Sequence, residues 1–153
     1  MKIFLGADHR GFALKETLKA HLTSAGYVVE DKGAFVENPT DDYPDFALPV
    51  ARAVATDPES RGILLCGSGM GMDVVANKVR SVRATVGYSL DSVRHARSHD
   101  DINVITLAAG VLSEEEAIQF TEAFLTTAFD GAERNVRRLE KIACIEESTT
   151  STA

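Results

Sequence analysis

Cationic side chains are in short supply: 16 lysines and arginines face 23 aspartates and glutamates, a formal charge of −7 over 153 residues. That balance excludes broad contact with nucleic acid or an acidic membrane surface, so any anion must be held locally. Cysteine is scarcer, with only Cys66 and Cys144, both in apolar surroundings and without metal-type spacing. A disulfide framework in a chain of this size would use more thiols, and both are expected to stay reduced. Long apolar runs are missing too, which excludes a membrane-spanning helix. The opening stretch Met1–Ala7 meets a charge at Asp8, too early for a signal peptide, and the expected location is cytoplasmic. A chain this long can bury about 70% of its unfolded surface in one core without disulfides or metal.

What is present is alternation. Short β-type runs at Ile3–Ala7, Tyr27–Asp31, Gly62–Cys66, Arg83–Tyr88 and Asn103–Ala108 are separated by stretches of helical spacing. Leu14, Leu18 and Leu22 stripe a first helix that ends at Ser24-Ala25-Gly26. Ser113-Glu114-Glu115-Glu116 is a capping box, and Ala117, Phe120, Phe124 and Ala128 lie along one face of the helix it opens. Residues 32–43 form the longest unpatterned connection, leading into a helix from Pro44 to about Thr56. The pattern predicts an α/β protein of three layers, a five-stranded, mainly parallel sheet covered by helices on both faces. Residues 1–147 read as one domain, and residues 148–153, in a polar stretch from Glu146, as a tail expected to fray. If the first and third strands are neighbours, two polar clusters adjoin at their carboxyl ends: Asp8-His9-Arg10-Gly11 and Cys66-Gly67-Ser68-Gly69-Met70-Gly71.

The second cluster carries the most chemistry. A thiol at a strand end faces a glycine loop that opens a helix, where exposed amides favour an anion and activate a nearby sulfur. Counting six positions from Gly67 reaches Met72 rather than the third glycine of a dinucleotide fingerprint, and no Gly-Lys-Ser or Gly-Lys-Thr closes a P-loop. A cysteine phosphatase would place an arginine at Met72. What survives is a thiol base beside amides able to hold an oxyanion, suited to removing a carbon-bound proton. The plain alternative is a buried cysteine followed by a tight turn. Cys144, between Ala143 and Ile145, reads as core.

His95 and His99 stand four apart, but without a metalloprotease glutamate and with arginines flanking them, so no metal is expected. Asp100 and Asp101 follow His99 and could orient it as an acid–base group. Arg134 and Arg138 share a face of the last helix, suited either to a phosphate or to surface pairs with Glu133, Glu140 and Glu146.

Taken together, Gly6-Ala7-Asp8-His9-Arg10-Gly11-Phe12, Asp42-Tyr43-Pro44, Cys66 to Gly71, Ala76-Asn77-Lys78, His99-Asp100-Asp101-Ile102-Asn103-Val104 and the pair Arg134 and Arg138 resemble the family of type B ribose-5-phosphate isomerases and galactose-6-phosphate isomerases. The resemblance runs from Met1 to about Glu147. It implies a three-layer Rossmann-like fold and a cofactor-free and metal-free aldose–ketose isomerase of a sugar phosphate, acting through an enediolate, as a homodimer or homotetramer with sites at the subunit interface. Carried over, Cys66 is the base and His99 opens the sugar ring. Asp8, Ser68 and the backbone of Gly67, Gly69, Met70 and Gly71 hold sugar and enediolate oxygens, His9, Arg134 and Arg138 take the phosphate, and Tyr43 and Asp100 are further substrate-binding residues. Ribose 5-phosphate is the leading substrate; a hexose 6-phosphate, a tetrose phosphate or a non-catalytic phosphosugar-binding subunit are the alternatives. This chain departs from the family pattern with Asp100 in place of an asparagine and Gly110 where some relatives carry an arginine. Met72 stands where relatives without the cysteine place a glutamate base.

Overall fold

The computed structural model describes residues 1–150. Five strands, β1 (Lys2–Ala7), β2 (Val28–Asp31), β3 (Arg61–Cys66), β4 (Ala84–Val86) and β5 (Val104–Ala108), form one sheet in the order β2-β1-β3-β5-β4. Every pairing is parallel. Around it lie α1 (Phe12–Ser24), α2 (Pro44–Thr56), α3 (Met70–Ala76), α4 (Leu90–Asp100), α5 (Glu114–Thr126) and α6 (Glu133–Thr150). Among the described residues no helix is long and apolar enough to cross a membrane.

The expected neighbourhood of β1 and β3 is present, with Ala7 opposite Leu65. Both strands are apolar and buried from their second residue on, as central strands covered on both faces must be. Ile3, Leu5, Ile63, Leu65, Ile105 and Leu107 pack with Leu14, Leu18, Leu22, Val93 and Phe124 on one face. Phe4, Leu64 and Val104 pack with Val50, Val54, Met72 and Ala76 on the other. The layers are therefore α1, α4 and α5 against α2 and α3. The chain leaves β1 first toward β2 and later toward β3, so the topological switch lies between the loops after β1 and β3.

Some local expectations are corrected. The edge strand β4 is only Ala84–Val86, because it pairs on one side alone. The Ser113 capping box is present, but α5 ends at Thr126, and Ala128 lies beyond it, exposed. α3 stops at Ala76, where the Asn77 side chain turns to bridge the Asp73 and Ala84 backbone, so Lys78 lies past the helix. Cys144 is exposed rather than core: α6 lies outside the two packed layers and leaves Val136, Ile142 and Ile145 exposed as well. The α6 assignment reaches Thr150, and residues 151–153 of the tail expected from residue 148 lie outside the described residues.

Candidate active site

Three loops meet at the carboxyl ends of β1, β3 and β5. The Asp8 N–H donates to Leu65 O at 3.2 Å, and the N–H groups of Ala109 and Gly110 donate to the carbonyls of Cys66 and Gly67, each at 2.9 Å. Cys66 closes β3 and is 5% exposed. Its Sγ accepts the Gly69 N–H at 3.1 Å, so the sulfur faces the polar loop rather than hydrocarbon alone. That bond needs Gly69 at φ +75°, left-handed backbone in which a side chain is strained. The Met70 N–H is held by Ser68 Oγ at 3.4 Å. The N–H groups of Ser68 and Gly71 have no acceptor among the described residues and stand as free donors beside the thiol.

Asp8 is buried, and its Oδ1 accepts the N–H groups of Arg10 (2.9 Å) and Gly11 (3.0 Å). This turn fixes the loop next to Cys66 and leaves Oδ2 without a protein donor among the described residues. His9 is locked by Asp41, whose Oδ1 accepts the His9 N–H at 3.1 Å and lies 2.6 Å from Nδ1. A carboxylate only accepts, so Nδ1 carries the proton and Nε2 is left for a ligand. The Asp41 side chain is 9% exposed, and its Oδ2 is buried without a partner among the described residues. Tyr43, the N-cap of α2, lies over the start of α3: a Cβ on Gly71 would stand 2.8 Å from its Cζ. The arrangement collects a thiol, free amides, a carboxylate oxygen, an imidazole and a phenol around one opening. It can bind an oxygen-rich molecule, remove a proton with sulfur and hold the resulting oxyanion on main-chain donors.

His99 belongs elsewhere. In a parallel sheet all strands end at one pole, and α4 starts after β4 at that pole and finishes before β5 at the other. At 1.5 Å per residue, Leu90 to His99 covers about 14 Å away from the carboxyl ends. His99 Nδ1 lies 2.9 Å from His95 Nδ1, and its Nε2 lies 3.6 Å from Asp130 Oδ2. Asp130 is tied to the same corner by its own N–H, which donates to Ser98 O at 2.9 Å. The Ala132 N–H and the Asn135 amide, helped by the charges of His99 and Arg134, hold the Asp130 carboxyl below the usual carboxylate range. Arg134 and Arg138 are exposed on the first turns of α6 beside this cluster. Neither makes an ion pair with a carboxylate among the described residues, which leaves their guanidinium groups open for an anion; Glu146 accepts the Ser81 N–H.

The expectation that Asp100 and Asp101 orient His99 is corrected. Asp101 is bound to Arg97 and Arg83, each at 2.7 Å, and Asp100 offers Arg83 its carbonyl while its side chain is exposed. The structure thus brings together Asp8, His9, Tyr43, Cys66, Gly67, Ser68, Gly69, Met70 and Gly71 at one pole. It gathers His99, Asp100, Arg134 and Arg138 at the opposite one. Sequence reasoning placed Arg10 in the polar cluster after β1 and weighed His95 only as a metal partner of His99, and it named neither Asp41 nor Asp130. Asp41 meets His9 across 32 positions of chain, which no local pattern reveals. Among the described residues no group of three or more His, Cys, Asp or Glu side chains is arranged to hold a metal ion.

Fold and site define a class: an open parallel α/β protein with a thiol and amide cradle at the switch point of its sheet. The family model described as Ribose/Galactose Isomerase matches residues 3–142. The chain is 40% identical over 146 residues to ribose-5-phosphate isomerase B of Escherichia coli, covering 95% of this chain and 97% of that one. It is 37% identical over 148 residues to ribose-5-phosphate isomerase B of Mycolicibacterium paratuberculosis, covering 97% and 93%. The crystal structure of ribose-5-phosphate isomerase B from Mycoplasma genitalium with bound ribulose-5-phosphate superimposes with a TM-score of 0.92 at 37% identity, covering 95% of this chain and 96% of that chain. The chain belongs to the ribose/galactose isomerase family.

Proposed function

We propose that this protein is an aldose–ketose isomerase that interconverts ribose 5-phosphate and ribulose 5-phosphate through an enediolate. The observation that carries the reading is the Cys66 sulfur beside the unengaged N–H groups of Ser68 and Gly71. The ribulose-5-phosphate held by the Mycoplasma genitalium relative supports the choice of substrate.

In this reading His99 gives a proton to the ring oxygen as the O1 hydroxyl loses its own to solvent, so the C1–O4 bond breaks, the C1 carbonyl forms and the furanose opens. The Cys66 thiolate then takes the proton from C2 of the open aldose, and the C1 carbonyl oxygen becomes the enediolate oxyanion, held by main-chain donors between Gly67 and Gly71. Sulfur returns the proton to C1, O2 loses its proton and becomes the ketone, and O1 gains one. Atoms and electrons balance with no external oxidant or reductant. One such oxyanion donor is worth about 3 kcal/mol of barrier. Asp8, Tyr43 and Asp100 hold sugar hydroxyls, and His9, Arg134 and Arg138 hold the phosphate, whose binding energy positions the reacting carbons.

The reading includes a homodimer, or a tetramer of such dimers, because Cys66 and His99 lie at opposite poles of one chain. A second copy related by a two-fold axis can set its amino-pole residues against the carboxyl pole of the first, making two equivalent sites. It also includes a cytoplasmic setting, supported by two free cysteines in place of a disulfide. The test is to incubate the chelator-treated protein with four-, five- and six-carbon aldose phosphates in deuterium oxide, following ketose formation and label at C1 and C2. The expected result is fastest turnover of ribose 5-phosphate, with exchange abolished in Cys66→Ala. Ligand-induced stabilisation without exchange would make the protein a binder rather than an enzyme.

A further inference from the structure

We propose that Arg10 is a substrate-binding residue: its guanidinium is held beside Cys66 to take the phosphate of the substrate, in concert with His9. The inference rests on the isomerase reading above and adds to it a residue of the carboxyl pole that the reading does not use. Three observations carry it.

The first is that Arg10 has a prepared seat. Its N–H and that of Gly11 are both bound to Asp8 Oδ1, which fixes the backbone from which the side chain departs. The guanidinium then lies across Gly67, the residue after Cys66. A Cβ on Gly67 would stand 2.7 Å from Arg10 Cζ and Nε and 2.9 Å from Nη1. On the far side, a Cβ on Gly110 would stand 3.6 Å from Nη2. Any side chain at residue 67 would displace the head group, and none is present to do so.

The second is that the charge is not neutralised. Arg10 is exposed and makes no ion pair or side-chain hydrogen bond among the described residues. The acids nearest in the loop have other partners: Asp8 Oδ1 serves the backbone, and Asp41 Oδ1 serves His9. The next cation along α1, Lys15, is buried and bound to Asp31 and Ala34 O. In a chain carrying a formal charge of −7, a positioned and unpaired arginine is the natural anion ligand of this pole.

The third is geometric company. His9, one residue before, is set by Asp41 to present Nε2 outward, so a fork of guanidinium donors and an imidazole edge flank the same opening above Cys66. Arg134 and Arg138 of the same chain stand at the opposite pole, so Arg10 supplies a guanidinium that this half of the site otherwise lacks.

The experiment compares wild type with Arg10→Met, which keeps bulk, and Arg10→Lys, which keeps charge but loses the fork. KM and kcat for ribose 5-phosphate are measured together with competitive inhibition by inorganic phosphate, and folding is checked by thermal unfolding. Arg10→Met is expected to raise KM and the inhibition constant of phosphate together by about ten- to a hundredfold, with Arg10→Lys in between. Unchanged KM and unchanged phosphate inhibition would overturn the proposal. So would a fall in kcat alone, which would assign Arg10 to the enediolate or to propping the loop. Calorimetric titration of inorganic phosphate into both proteins reads Arg10 without catalysis. If wild type isomerises no sugar phosphate, the isomerase reading fails, while weaker phosphate binding in Arg10→Met still upholds the assignment of Arg10 and equal binding rejects it.

Discussion

Two inactive variants of this protein should restore one another. On the proposed reading, Cys66→Ala removes the base at the carboxyl pole, and His99→Asn removes the ring-opening group about 14 Å along α4 toward the other pole. Loss of a positioned acid or base typically costs about a hundred- to ten-thousandfold in rate, so each parent should be nearly silent on ribose 5-phosphate. When subunits are exchanged, a mixed dimer has one site with both residues replaced and one with both intact. Random exchange of equal amounts makes about half the dimers mixed, so the mixture should reach about one quarter of wild-type activity. The matching control is wild type exchanged with the double variant: mixed dimers then contain no intact site, and the wild-type contribution should fall by about half. The assay is ketose formation before and after exchange in mild denaturant, with mixed dimers counted by native mass spectrometry. If mixed dimers form in the expected share and activity stays at parental level, the two poles do not meet across an interface, and the assignment of His99 to the Cys66 site is wrong.

Three further outcomes are expected. Asp41→Ala frees His9 to rotate and exchange its proton between nitrogens; KM for ribose 5-phosphate should rise several-fold with little change in kcat, Asp41→Asn should recover most of it, and nitrogen chemical shifts of His9 should report the lost Nδ1–H form. Gly11→Ala would place a Cβ 2.5 Å from Leu65 O, on backbone that cannot give way; overpacking of about 1–3 kcal/mol should lower the melting temperature by about 5 °C and push the Asp8 loop off Cys66. At Asp31 burial acts to raise the carboxyl, but hydrogen bonds from Lys15, Lys19 and the Gly33 N–H prevail and leave it below its usual range. A depressed folded pKa means that this contribution is complete above the ordinary aspartate value near 4 and is lost as the pH falls through the lower folded value. Asp31→Asn should therefore flatten the acid limb of stability, and because it leaves the buried Lys15 ammonium with only Glu16 and the Ala34 carbonyl it should cost about 2 kcal/mol at neutral pH, read by denaturant unfolding.

Much of the fold was legible because its signals are local. Apolar runs of strand length, leucines one helical turn apart and the Ser113 capping box each act within a few residues, and the five strands appear where the runs stand. The boundaries moved where a neighbour was missing, as at β4, which has one partner strand and is only Ala84–Val86. Cys144 was misread because an apolar neighbourhood in sequence does not say whether another layer covers the helix, and Cys144 is exposed on α6. In the site, the thiol followed by glycines was visible, since both the strand end and the turn are written in consecutive residues. The partners of its side chains were not: Asp41 reaches His9 and Asp130 reaches His99 only because loops from different elements converge.

Residue order alone determined the alternation of strands and helices, the thiol at the end of β3 and the family to which those motifs point, because each depends on periodicity or on neighbours along the chain. Tertiary structure alone decided that Arg10 rests on Gly67, that Asp41 sets His9, and that Cys66 and His99 stand at opposite poles. Those relations depend on strand direction and on which distant loops meet at the ends of the sheet, and such packing leaves no trace in local spacing.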